Sequence, residues 1–100
     1  MEKFKVIDKV SWHYPEGNNC PNLEIAKSIF IAIMNWLKSN RLLTDEGEEI
    51  FDIGIDSEFS LTSAMLTDRG NEILAVHYSK WLQTLKYDED INTRYFNSVL

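Results

Sequence analysis

Apolar residues recur at helical spacing in two long stretches of the chain. From about Leu23 to Ser39, the residues Ala26, Ile29, Phe30, Ile33, Trp36 and Leu37 fall on one stripe, and Pro21 with Asn22 supplies a start signal. From about Asp68 to Leu85, Ile73, Leu74, His77, Tyr78, Trp81, Leu82 and Leu85 mark a second stripe. Two amphipathic helices of this length have to bury their stripes, and the economical solution is helix on helix. This pair is the expected core, with Trp36, Trp81, Ile29, Ile33, Leu74 and Tyr78 mostly buried.

A shorter helix is predicted over about Asp45 to Ile53. Its start, Leu42-Leu43-Thr44-Asp45-Glu46-Gly47-Glu48-Glu49-Ile50-Phe51, matches Met65-Leu66-Thr67-Asp68-Arg69-Gly70-Asn71-Glu72-Ile73-Leu74 at six of ten positions, 23 residues apart. Capping accounts for much of the match, because each Thr can accept a first-turn N–H, each Asp favours the positive helix end, and each preceding Leu can staple onto the first turn. A duplicated helix-turn unit is the alternative origin. Between the two starts, Gly54 to Ser60 reads as a loop with Phe59 as its buried anchor, leading to a helical turn at Leu61 to Met65. In the first fourteen residues Phe4, Val6, Val10, Trp12 and Tyr14 alternate as in a strand, whereas Phe4, Ile7 and Val10 fit a helix face. The reading adopted is a short helix followed by an extended segment from Ser11 to Pro15. Pro15 to Asn19 is a turn, and the tail from Asp88 forms a last short helix carrying Tyr95, Phe96 and Val99. The expected fold class is all-α, a single-domain helical bundle of four or five helices with an extended N-terminal segment.

Length and composition agree with one globular unit. The 100 residues have room for a single domain, 44% of them are hydrophobic, and the 12% that are aromatic can fill a core without staples. The longest apolar run, Ile29 to Met34, is far short of the ~20 residues a membrane span needs, and Met1 to Lys5 lacks the apolar stretch of a secretory signal. Cys20 is the sole cysteine, which removes an intrachain disulfide and any multi-cysteine zinc site. The expected compartment is the cytosol and the expected state a monomer.

Charge changes the picture most. From Leu42 to Asp68 there are eight carboxylates, Asp45, Glu46, Glu48, Glu49, Asp52, Asp56, Glu58 and Asp68, and no Lys or Arg. The formal net charge of the whole chain is −6, so the negative field belongs to this middle quarter. Such a field attracts a basic partner and repels nucleic acid and anionic lipid. The alternative for the same residues is a solvated acidic face. A calcium loop is excluded by spacing, since alternating Asp or Asn ligands, a central Gly and a Glu at the twelfth position are missing.

No side-chain group reads as a catalytic centre. His13, between Trp12 and Tyr14, is the one histidine among aromatics beside a turn, and general-base or metal duty is weighed against a packed histidine bonded to a backbone carbonyl or facing water. His77 lies on the second stripe and reads as a satisfied core-edge histidine. Cys20 precedes a helix start that would favour thiolate, but no base is legible near it, so an inert half-buried thiol is expected. Gly-rich phosphate cradles, Gly-x-Ser-x-Gly elbows and His-Glu-x-x-His helices do not occur. The chain is expected to be non-enzymatic, with no cofactor or metal.

Several segments together carry a resemblance: Asp8-Lys9-Val10-Ser11-Trp12-His13, the long helix ending Met34-Asn35-Trp36-Leu37, Ile55-Asp56-Ser57-Glu58-Phe59-Ser60-Leu61-Thr62-Ser63, and the Leu66-Thr67-Asp68-x-Gly start. Across about Asp8 to Leu85 the chain resembles small acidic bacterial immunity proteins of polymorphic toxin and contact-dependent growth inhibition systems. The resemblance implies a cytosolic toxin inhibitor that binds one cognate toxin C-terminal domain, often a basic nuclease, by protein–protein interaction, with no nucleic acid or membrane as partner. The expected partner-binding residues are Asp45, Glu46, Glu48, Glu49, Asp52, Asp56 and Glu58, with Phe59, Tyr14 or Tyr95 as aromatic anchors. Two alternatives stand beside it. One is a small winged-helix or helix-turn-helix regulator, suggested by Leu-Thr-Asp-x-Gly before an amphipathic helix but opposed by the missing basic stripe. The other is a structural or adaptor protein that dimerises through Trp36 or Trp81.

Overall fold

A computed structural model describes residues 5–14, 20, 22–85 and 91–99. Strand β1 (Val6–Lys9) passes through a 3-10 turn (Val10–Trp12), and helices α1 (Leu23–Ser39) and α2 (Asp45–Ile53) follow. Strand β2 (Ser60–Thr62), a second 3-10 turn (Ser63–Met65), helix α3 (Asp68–Thr84) and a 3-10 helix (Arg94–Ser98) complete the described elements.

Helix α1 starts where Asn22 accepts the N–H of Ile25 on its side-chain oxygen, and its stripe Ala26, Ile29, Phe30, Ile33, Met34 and Leu37 is buried. Its end is a Schellman turn in which Leu42 N–H reaches the Leu37 carbonyl at 2.9 Å and Arg41 N–H the Lys38 carbonyl at 3.1 Å. Arg41 takes the left-handed position at φ 58°, where glycine is usual. The turn delivers buried Leu42 and Leu43 to the next contact.

That contact joins the two similar helix starts. Leu43 and Leu66 form an isolated antiparallel bridge. Thr44 N–H donates to the Met65 carbonyl and Thr67 N–H to the Leu42 carbonyl, each at 2.9 Å, so the segments exchange bonds reciprocally. Each Thr then caps its own helix, accepting the N–H of Gly47 or Gly70 at 3.1 Å. A Cβ on Gly47 would run into the Met65 carbonyl oxygen, and one on Gly70 would lie 2.8 Å from the Leu42 carbonyl oxygen. Both glycines are therefore sites of close backbone approach, which capping does not explain.

The all-α expectation is overturned. Three α-helices are joined by a two-stranded antiparallel sheet in which Val6 pairs with Thr62, Asp8 with Leu61 and Lys9 with Ser60. The short helix expected near the N-terminus is strand β1, and the segment expected to be extended after Ser11 instead contains the 3-10 turn through Trp12. The physical reason is Asp8. The alternating positions Asp8 and Val10 are both buried, so the strand pattern was present but interrupted by a carboxyl at an inward site. Its partner strand is only three residues long and lies 51 residues away in sequence at the closest pair, so no local periodicity marks it. Ile7 is the extra residue of a bulge between the first two pairs.

The expected helices over Leu23 to Ser39, Asp45 to Ile53 and Asp68 to Leu85 are present within one residue. Of the expected core, Trp81, Ile29, Ile33, Leu74 and Tyr78 are buried, whereas Trp36 is partly exposed and stacks on Phe96 with ring centres 4.4 Å apart. The tail carries Tyr95 and Phe96 on a 3-10 helix, with Val99 just beyond it, and Phe96 also meets Trp81 at 5.7 Å. Trp81 Nε1–H fixes this return by donating to the Asn92 carbonyl at 2.7 Å. The turn expected at Pro15 to Asn19 and the start of the tail at Asp88 lie outside the described residues.

Candidate functional site

Helix α2 divides by its own period. Gly47, Ile50 and Phe51 turn inward, and Asp45, Glu46, Glu48, Glu49, Asp52 and Ile53 are exposed. The following turn adds exposed Asp56 and Glu58, with Asp56 Oδ1 accepting the Glu58 N–H at 2.9 Å to shape it. Among the described residues one ion pair touches this surface, Lys38 to Asp52 at 3.5 Å between two exposed side chains, too weakly held to cancel the field. Seven expected partner-binding carboxylates thus share one continuous segment of surface.

Phe59 is not part of that surface. It is 6% exposed and meets the Phe30 ring at 5.5 Å, which makes it the core anchor of the loop. The exposed apolar residue on the acidic helix is Ile53, at 82%. Helical spacing puts it on the same outward side as Glu49 and Glu46, four and seven positions earlier. Periodicity places Ile53 at the helix end without saying that its side chain is unused by the core. Of the other expected anchors, Tyr14 is exposed and Tyr95 is partly buried with its hydroxyl 3.0 Å from His77 Nδ1. Trp81 is wholly buried, so it offers nothing to a second copy.

The best-formed polar arrangement is interior. Asp8, His13 and Tyr78 are all buried, and Asp8 Oδ2 lies 2.7 Å from His13 Nε2 and 2.7 Å from the Tyr78 hydroxyl. Asp8 Oδ1 accepts the Lys9 N–H at 2.8 Å. The Tyr78 hydroxyl donates to Asp8 Oδ2, and His13 Nε2 shares the same oxygen. Phe30 meets the imidazole edge-on at 5.8 Å. These bonds tie β1 and the turn after it to α3, and with the ring contact they bring α1 to the same place. His13 thus bonds a carboxyl five residues back, a partner the sequence reading did not assign. The signal was present in Asp8, a charged residue at an inward strand position.

Cys20 is buried, and burial with the nearby charge of Asp8 pushes its thiol above the ordinary value. A neutral thiol there is a poor nucleophile. Among the described residues no group of three or more His, Cys, Asp or Glu side chains is placed to hold a metal ion. No helix of the described residues is long and apolar enough to cross a membrane. On α2 and the turn after it, the surface is charged and carries one exposed large apolar side chain, Ile53. Compared with models of protein families, with curated proteins and with solved structures, the chain matches none.

Proposed function

We propose that this chain is an immunity protein, a cytosolic inhibitor that binds a basic toxin domain through α2 and the turn after it. The observation that carries the reading is the outward side of α2, where exposed Glu46 and Glu49 precede an Ile53 side chain that is 82% exposed. Charge alone steers encounter and sets orientation, while affinity needs an apolar group that becomes desolvated at the centre of the contact. Ile53 supplies that group in the place first assigned to Phe59. The kind of partner follows from the resemblance carried by Asp8 to His13 and Ile55 to Ser63.

The regulator alternative finds no support in α3, whose exposed side presents Arg69 and Lys80 together with Asp68 and Glu72. A helix laid on phosphates needs a basic stripe.

The test is a calorimetric titration against the toxin domain encoded immediately upstream, at two salt concentrations, with co-expression rescue of growth. Tight binding that weakens with salt, together with rescue, is the expected result. Absence of both binding and rescue would refute the reading.

A further inference from the structure

A pocket of about 310 Å³ opens between β1 and α3, lined by Lys5, Ile7, Ser63, Asn71, Leu74, Ala75, Tyr78 and Ser79. None of these residues belongs to α2 or to the turn after it, so the pocket is separate from the proposed toxin surface. Its α3 wall follows helical spacing through Asn71, Leu74, Ala75 and Tyr78, and the bulge in β1 supplies Ile7 opposite.

The walls are held in place from behind. Tyr78 is anchored by its bond to Asp8. Asn71 Nδ2 donates towards the carbonyls of Ser63, Leu66 and Thr67 at 3.1 to 3.3 Å, which fixes the carboxamide orientation. Ser63 Oγ accepts the Lys5 N–H at 2.9 Å, and among the described residues its own hydroxyl proton has no acceptor. The Lys5 ammonium has no carboxylate within 4.0 Å among the described residues. Among the described residues, a cation without a carboxylate partner and a hydroxyl without an acceptor therefore line the pocket together with Ile7, Leu74 and Ala75. Pre-positioned polar groups on a concave apolar wall are the usual form of a small-molecule site.

We infer that this pocket binds a small organic carboxylate, its charge at Lys5 and Ser63 and its apolar body against Ile7, Leu74 and the Tyr78 ring. An anion is selected because, among the described residues, the one charged side chain lining the pocket is the Lys5 cation, and a small body because the volume is at the lower end of ligand-site volumes.

The test is an amide-resolved NMR titration of the full chain with 3-phenylpropionate and, as the uncharged match, 3-phenylpropionamide. Saturating shifts confined to β1, Ser63 and residues 71–79 are expected, with the acid binding at least about fivefold more tightly than the amide. Lys5→Met keeps the apolar stem and should bring the two to near equality. Ala75→Trp, at an exposed helix position, should abolish both while the remaining spectrum keeps its dispersion. N-acetyl-alanyl-phenylalanine presents the same carboxylate as a chain terminus. If it binds more tightly than the free acid, the natural source is a peptide end; if more weakly, a metabolite-sized acid. Equal affinity for acid and amide, an acid preference that survives Lys5→Met, or no saturation at about 10 mM ligand would overturn the inference.

Discussion

One oxygen of Asp8 lies 2.7 Å from both His13 Nε2 and the Tyr78 hydroxyl, and all three side chains are buried. Removing the Asp8 carboxyl takes away the 2.7 Å polar contact of two buried side chains at once, so Asp8→Ala is expected to lose about 3 to 5 kcal/mol. Tyr78→Phe removes the hydroxyl that bonds the buried Asp8 carboxyl, and a loss of about 1 to 3 kcal/mol is expected in urea unfolding. A loss under about 0.5 kcal/mol in Tyr78→Phe would mean that the hydroxyl bond contributes nothing to holding β1 on α3. Arg41 works in the other direction. Its left-handed backbone costs about 1 kcal/mol relative to glycine, so Arg41→Gly should raise stability by about that much, read as a higher urea midpoint at unchanged slope. Cys20 gives a pH signature. Its thiol pKa is raised in the folded chain, so the folded state holds the proton longer than the unfolded one. Its stability contribution is complete below the ordinary thiol pKa of about 8.5 and is lost as pH rises through the raised value. Cys20→Ala should therefore flatten the alkaline decline of stability relative to the parent chain.

At the scale of elements, legibility followed the range of the interaction that forms each one. Helices α1, α2 and α3 were readable because their apolar stripes and the caps Asn22, Thr44 and Thr67 are local features. The sheet was not, because β1 exists through pairing with a three-residue strand far along the chain and holds a carboxyl where an apolar residue was expected. The acidic surface is legible as a run of charges, but the burial of Phe59 and the exposure of Ile53 are not. Phe59 and Ile53 flank the same loop, and only the tertiary contact with Phe30 decides which of them is core. The repeated helix starts show a similar limit. Their Thr residues are explained locally, but Gly47 and Gly70 are required by each other's segments. Gly70→Ala places a methyl group against the Leu42 carbonyl and should cost about 1 to 3 kcal/mol, beyond the gain in helix propensity that the change would bring on an open surface. Thermal unfolding of that variant at or above the parent temperature would mean that the two starts do not press together.

For the whole molecule, the charge is divided in a way that suits one-sided recognition. The acids of α2 and its turn lie on the surface, while the ten basic residues of the chain all fall outside the segment from Leu42 to Asp68. At physiological salt such a surface acts over roughly 8 Å, so under the proposed function it would guide the last step of encounter with a basic toxin domain. Away from that surface, the interior triad joins β1 to α3, and Phe96 returns onto Trp36 of α1 and Trp81 of α3. The most direct measurement of the central claim is the stopped-flow association rate with a toxin domain that the titration identifies as a partner, for the parent chain and for Glu46→Lys/Glu49→Lys, across a salt series. Steering through α2 predicts that charge reversal slows association about tenfold or more at low salt and flattens the salt dependence, with the folded spectrum unchanged. An association rate and salt slope equal to the parent's would contradict α2 as the contact surface.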